Sequence, residues 1–184
     1  LQSGQVDLVE NITNVADIQD FQDNDDYTVD IASGVRCGFA WMNFDGVLGN
    51  KTLRQAILMA IDNDTICNSR TIGGLYTPGF SVLPSTLNYD YDKLENPYTY
   101  DPEKAKEILE DAGCEMGDDG FYYRDGEKVG FVISVSAGDQ VRIDMAQIAA
   151  QELKEIGMDV SVDIPAQTDW AGQMAFLIGW GSPF

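Results

Sequence analysis

No histidine occurs among the 184 residues. That absence excludes Ser-His-Asp and Cys-His catalysis, and histidine metal ligands, within this chain. Cysteine is scarce: Cys37, Cys67 and Cys114 form an odd set without a CxxC pair. They leave either one disulfide and one thiol or three buried thiols. Basic residues are few, 11 against 31 acidic ones, for a formal net charge of −20. A surface so negative repels phosphate backbones and anionic lipid headgroups, so nucleic acid is not expected as a partner. Its plainest role is solubility. No apolar run approaches the roughly 20 residues that a membrane-spanning helix needs.

What is present is the make-up of one packed domain. Hydrophobic residues account for 44% of the chain, enough for a core of ordinary size. "VDLVEN" reads as a short strand, followed by an amphipathic helix over residues 15–21. "YTVDI" and "RCGFAWMNF" read as further strands, the second apolar enough to be buried. In "LRQAILMAIDNDTI" the apolar positions Leu53, Ala56, Ile57, Ala60 and Ile61 follow helical spacing behind a capping Asn50. Asp62, Asn63 and Asp64 interrupt it, and Asp64 is placed to cap a second helix over residues 65–72. As chemistry, Asp62 and Asp64 would be a carboxylate pair; as structure, they are a capped corner between helices, which accounts for them without chemistry.

Residues 73–99 carry repeated Pro and Gly, many aromatics and no period, a length that suits a loop serving a surface or a site. "YDPEKAKEILEDAG" is a helix with Asp101 as cap, Pro102 at its first position and Gly113 as stop. "FYYRDGEKVGFVISVS" contains a hairpin turned at Asp125-Gly126. Residues 138–157 form a long amphipathic helix ended by Gly157, and "MDVSVDI" is an alternating strand. Strand, helix and strand in that order make a right-handed crossover between parallel strands. "TDWAGQM" suggests a short helix and "AFLIGW" a last buried strand. The fold class is therefore α/β.

Candidate sites are sparse. Asp90, Asp92 and Asp101 echo the spacing of a calcium loop, but Glu95 stands where glycine is required and Pro97 intrudes. "IGGLYTPG" lacks both the lysine of a phosphate loop and the glycine spacing of a dinucleotide fold. Arg142 falls in the first turn of the long helix, where free N–H groups and the dipole favour anions, and an arginine there can clamp a carboxylate. It can equally pair with Asp139 or Asp144. Trp180 follows the last strand between Gly179 and Gly181, which permit close approach of a ligand; a core role is the alternative. Trp41 and Tyr76 read as packing residues.

Six segments, "GQVDL", "MNFDGVLGNKTLRQAILMAIDNDTI", "GLYTPGFSVLP", "YTYDPEKAKEILEDAG", "QIAAQELKEIGMDVSV" and "IGWGSPF", stand in the order found in the peptide- and nickel-type extracellular solute-binding proteins of ABC transporters. The chain resembles that family over nearly its whole length. The resemblance implies a type II periplasmic-binding-protein-like lobe, a mixed sheet flanked by helices, with residues 1–184 forming one lobe. Both ends read as interior sequence, so the expectation is a carboxyl-terminal lobe cut from a longer two-lobed chain whose amino-terminal lobe is missing here. It implies no catalytic machinery and no cofactor. The solute, a peptide or a metal chelate, is trapped between lobes and passed to a membrane permease, at the extracellular face of the cell membrane under a lipid anchor or in a periplasm.

The same resemblance places the ligand against Gly179, Trp180 and Gly181, with Phe184 in the aromatic position of a Trp-Gly-x-Pro-aromatic form shared by nickel-type and peptide-type members. Peptide-type members often carry an Asp shortly after that Trp to hold the peptide amine; here the third residue on is Pro183. Arg142 lies near the position of a carboxylate-binding arginine in some members. The first reading is a peptide receptor, the second a nickel-chelate carrier. From other classes come a carboxylate-based hydrolase and an acidic protein-interaction domain, which would bind a basic partner with strong salt dependence.

Overall fold

The strand–helix–strand unit organises the fold. The computed structural model describes residues 1–10, 12, 14–87 and 90–181. In it, strand β5 (Gly130–Ser134) runs into helix α5 (Gln140–Glu155) and returns as β6 (Asp159–Asp163), parallel to β5, with Phe131 opposite Val160 and Ile133 opposite Val162. The helix buries Val141, Ile143, Ala146, Ala150 and Leu153, the stripe that its apolar spacing dictates. Gly157 follows its cap at φ +94°, the left-handed conformation that glycine adopts without strain.

Strand β7 (Ala175–Gly181) lies parallel to β5 on its other side, and β1 (Arg36–Met42) lies antiparallel to β7, giving the order β1-β7-β5-β6. Helix α1 spans Val15–Gln22. Helices α2 (Lys51–Ala60) and α4 (Pro102–Asp111) pack together beside the sheet through Leu53, Ala56, Ile57, Ala105 and Leu109, all fully buried. Burying a leucine of this kind contributes about 2–3 kcal/mol. Asn50 caps α2 by accepting from the Thr52 N–H at 2.8 Å, and Asp101 caps α4 by accepting from the Lys104 N–H at 2.9 Å.

A second, three-stranded sheet joins β2 (Glu115–Met116), β3 (Tyr122–Arg124) and β4 (Glu127–Lys128). Its hairpin turns at Asp125 and Gly126, with φ of +54° and +82°, the two left-handed residues that a tight hairpin requires. Tyr122 is buried there and its hydroxyl donates to Glu110 at 3.0 Å. Burial and that hydrogen bond push the phenol up to about 12.

Several local expectations fail for identifiable reasons. Residues 6–10 and 27–31 form no strands; they find no sheet partner, and Leu8 and Ile31 stay exposed. Strand β1 exists but is an edge strand with one free side, half-exposed rather than buried. The helix after the corner, α3, spans Asn63–Cys67 rather than 65–72. Its cap is Asp62, not Asp64: Asp62 accepts from both the N–H and the hydroxyl of Thr65, at 3.0 and 2.7 Å. Residues 168–174 form turns instead of a helix, pinned by Asp169, which accepts from the N–H groups of Ala171 and Gly172. Trp41 and Tyr76 are 52% and 42% exposed, so neither is a core residue. All three cysteines are free thiols; Cys67 and Cys114 are buried and Cys37 is half-buried.

Candidate functional site

The two parallel neighbours of the sheet are unequal in length, and that inequality builds the site. β7 pairs with β5 only at Ala175 and Phe176. It then continues to Gly181 with β1 alone as partner, Arg36 facing Gly181 and Cys37 facing Trp180. The five residues from Leu177 to Gly181 carry this two-stranded ribbon about 16 Å past the end of β5. The crevice outside the carboxyl ends of parallel strands is where open α/β sheets hold ligands. The first turn of α5 lies beside it, since only residues 135–139 separate β5 from α5.

Side chains alternate along the ribbon. One face carries Ala175, Leu177, Gly179 and Gly181 with Met42, Ala40, Gly38 and Arg36, and its root joins the helix-covered core. The other carries Phe176, Ile178 and Trp180 with Trp41, Phe39 and Cys37. Gly179 and Arg142 are brought together on the helix side: a Cβ on Gly179 would sit 2.6 Å from Arg142 Nη2. Trp180 is 69% exposed on the opposite face, which removes the core role. Gly181 is exposed with open space around it. Phe184 lies outside the described residues.

Asp139 fixes Arg142 twice. Its Oδ1 accepts from the Arg142 N–H at 3.2 Å as helix cap, and its Oδ2 pairs with Nη1 at 3.0 Å. The expected ion pair therefore forms with Asp139; Asp144 instead accepts from Gln140 at 2.7 Å. The guanidinium is held in place, and among the described residues Asp139 is its one hydrogen-bonding or ion-pair partner.

The indole face is bordered by two loops. Loop 73–99 reaches it where Cys37 Sγ donates to the Ser81 carbonyl at 3.5 Å and where the Thr86 hydroxyl donates to the Gly34 carbonyl at 2.9 Å. Burial pushes the Cys37 thiol up, away from thiolate reactivity. The second loop is tied by Asn43, whose Nδ2 donates to the carbonyls of Trp170 at 2.9 Å, Ala171 at 3.3 Å and Gln173. It sets Trp170 edge-on to Phe176 at 4.9 Å. The groups gathered at the tip are an anchored guanidinium, exposed glycine backbone and the Trp180 indole.

Reasoning from sequence did not single out Arg36, which the register places beside Gly179; its Nη2 donates to the Gly179 carbonyl at 3.4 Å. The available signal was the scarcity of basic residues combined with its place at the start of a strand. Two open clefts lie elsewhere. One, of about 320 Å³, is bordered by Asp62, Asp64, Phe80, Tyr98 and Tyr100. The other, of about 600 Å³, runs along α5 past Arg70 and Glu152. The first reaches Phe80 on the loop whose Ser81 carbonyl accepts from Cys37, and the second starts at Asp144 in the first turns of α5 and runs down to Glu152, ten residues and about 15 Å beyond Arg142.

Comparisons with known proteins agree with this architecture. The sequence profile described as "Bacterial extracellular solute-binding proteins, family 5 Middle" matches residues 1–183. The oligopeptide-binding protein AppA of Bacillus subtilis is 28% identical over 149 residues, 76% of this chain and 27% of AppA. The crystal structure of NikZ from Campylobacter jejuni in complex with Ni(L-His) superposes with a TM-score of 0.78 at 27% identity, over 92% of this chain and 34% of NikZ. NikA from Brucella suis, solved with Fe(III)-EDTA, shares the fold with a TM-score of 0.84 at 21% identity, over 99% of this chain and 39% of NikA. The chain thus spans about a quarter to two-fifths of the length of these proteins. A profile match over nearly every residue, on a fold shared with NikZ and NikA, makes this chain a member of the family-5 bacterial extracellular solute-binding proteins.

Proposed function

We propose that this chain is the ligand-closing lobe of a two-lobed receptor of an ABC transporter. It captures oligopeptides or dipeptides outside the cell membrane, in a periplasm or under a lipid anchor, and hands them to a membrane permease. The observation that carries the reading is the ribbon tip. It projects past the parallel strands with Trp180 open on one face and an anchored Arg142 on the other, a half-cleft that a second lobe can close. Hinge closure around a solute is the switching mode that suits such a surface. AppA, the oligopeptide-binding relative, supports peptides as the solute.

The alternative within the class is a nickel–chelate carrier, favoured by the likeness to NikZ. The alternative outside it is an acidic interaction domain, favoured by the net charge of −20. Calorimetric titration of the full-length protein with trialanine, with the nickel–histidine complex and with a basic protein separates the three. Saturable, salt-tolerant binding of trialanine without cleavage is expected. Binding of the nickel complex alone would transfer the assignment to the carrier, and binding of the basic protein alone, lost at high salt, to the interaction domain.

A further inference from the structure

The smaller of the two clefts, about 320 Å³, opens between the α2–α3 corner and the loop 73–99. That volume sits at the lower end of the roughly 300–1,000 Å³ typical of small-molecule sites. Three aromatic residues line it, Phe80, Tyr98 and Tyr100, and each is held by a different contact. The Phe80 ring lies 5.1 Å from that of Tyr91, whose hydroxyl accepts from the Phe80 N–H at 3.4 Å. The Tyr98 hydroxyl accepts from Gln55 of α2 at 3.1 Å. Tyr100 is placed by its neighbour Asp101, whose N–H donates to the Met59 carbonyl at 2.8 Å. Phe80 and Tyr100 are nevertheless 40% and 49% exposed, so ring surface stays available.

The charged groups of the cleft are of one sign. Asp62 and Asp64 line it, and among the described residues no lysine or arginine does. Burial and the charges of Glu152, Asp62 and Glu155 push the Tyr100 phenol up, which marks a negative field at that ring. Asp62 spends both carboxylate oxygens on Thr65 as the α3 cap. No group among the described residues pairs with the Asp64 carboxylate; its backbone carbonyl holds Asn68 instead. A metal ion does not suit these walls. Hard cations take about six to eight oxygen ligands, and among the described residues no three acidic or cysteine side chains gather for one. Rings with carboxylates suit an organic cation. A ring face attracts a cation within about 6 Å, and a primary ammonium brings three donors for carboxylate and amide oxygens, Asn96 supplying an amide in the same lining.

We propose that this cleft binds the primary ammonium group of a small alkylamine, seated against Phe80, Tyr98 and Tyr100 and neutralised by Asp62 and Asp64. The cleft shares no residue with the ribbon tip, so the site stands apart from the receptor reading. Equilibrium dialysis of radiolabelled putrescine against the full-length protein tests it, at about 0.15 M salt, where exposed charges more than ~8 Å apart are largely screened. Putrescine is expected to bind saturably, and butanediol, the neutral diol of the same chain length, is not expected to compete. Asp64→Asn should weaken putrescine about tenfold, as loss of a charged hydrogen bond does, and Tyr100→Leu about fivefold. Tyr100→Phe, which keeps the ring, should bind as wild type does. Glu127→Gln removes one charge from the second sheet, outside the cleft, and should leave binding unchanged. All three positions are exposed, so the variants should melt with wild type. Absence of putrescine binding, competition by butanediol, or an Asp64→Asn or Tyr100→Leu variant that binds as wild type does, overturns the site. Equal weakening by Glu127→Gln would assign the binding to net charge alone and overturn it too.

Discussion

Replacing Trp180 by alanine sets a ligand-facing indole against a packing one. A fully enclosed tryptophan buries up to about 250 Å². With 69% of Trp180 exposed, about 75 Å² is withheld from water, worth at most ~2 kcal/mol at about 25 cal/mol per Å². Phe176 provides the internal standard. It lies four residues earlier on the same face of the same strand, is 3% exposed and meets Trp170 edge-on. Phe176→Ala should cost about 3–5 kcal/mol, as deletions of buried aromatic rings do. Urea unfolding of both variants in the full-length protein, alongside calorimetric titration of trialanine, gives the comparison. Trp180→Ala should lose less than ~2 kcal/mol of stability while weakening trialanine about tenfold or more, which is ~1.4 kcal/mol or more of binding. If Trp180→Ala unfolds as readily as Phe176→Ala and binds trialanine unchanged, the indole belongs to packing and the cleft lies elsewhere.

Three further changes probe the surrounding frame. Arg142→Gln should weaken trialanine more than its carboxyl amide, with a stability loss of about 1 kcal/mol for the half-buried pair with Asp139; equal effects on the two ligands would reject a carboxylate contact. Asn43→Ala removes a donor shared by three carbonyls of the 170–173 turn, at about 1 kcal/mol per bond; a thermal midpoint within a degree of wild type would show that the turn is held by other contacts. Burial, reinforced by the charges of Asp62 and Glu155, holds the Glu152 carboxyl above its ordinary range against the lowering effect of the Asp62 N–H. A raised folded pKa favours the folded state below the unfolded pKa and loses that contribution as pH rises through the folded one. Glu152→Gln, which keeps an acceptor for the Asp62 N–H, should therefore be more stable than wild type at pH 7 and converge with it near pH 4; a constant difference across that range would contradict the linkage.

The long elements were legible because period and capping agreed in them. Leu53, Ala56, Ile57 and Ala60 behind Asn50, and Asp101-Pro102 before α4, specify helices locally, and the β5–α5–β6 crossover follows from chain order. What local pattern could not supply was partnership. "YTVDI" has the composition of a strand but no neighbour to pair with, whereas "RCGFAWM" does pair and lands at an edge, which leaves it half-exposed. Asp62 and Asp64 are equally good caps on paper; the choice of Asp62 depends on where α2 stops. The candidate site divides along the same line. Gly179, Trp180 and Arg142 stood out for their chemistry. That Trp180 and Arg142 occupy opposite faces, and that Arg36 joins Arg142, depends on a register between residues more than 140 positions apart.

On the proposed receptor reading, the accessibility of these side chains gives a physical reason for a closing partner. A guanidinium–carboxylate contact open to water contributes about 1 kcal/mol or less, and an indole that is 69% exposed has most of its area still to bury. Micromolar affinity requires about 8 kcal/mol beyond the entropy lost on association. One half-buried guanidinium and one largely exposed ring do not reach that. Enclosure changes both terms together. Removing water lowers the effective dielectric, which multiplies the attraction of Arg142 for an anion, and it buries the remaining indole area at about 25 cal/mol per Å². On the proposed receptor reading the two groups would bind strongly only when a second surface covers the ribbon tip, and affinity and closure would be coupled through the uncovered area of Trp180.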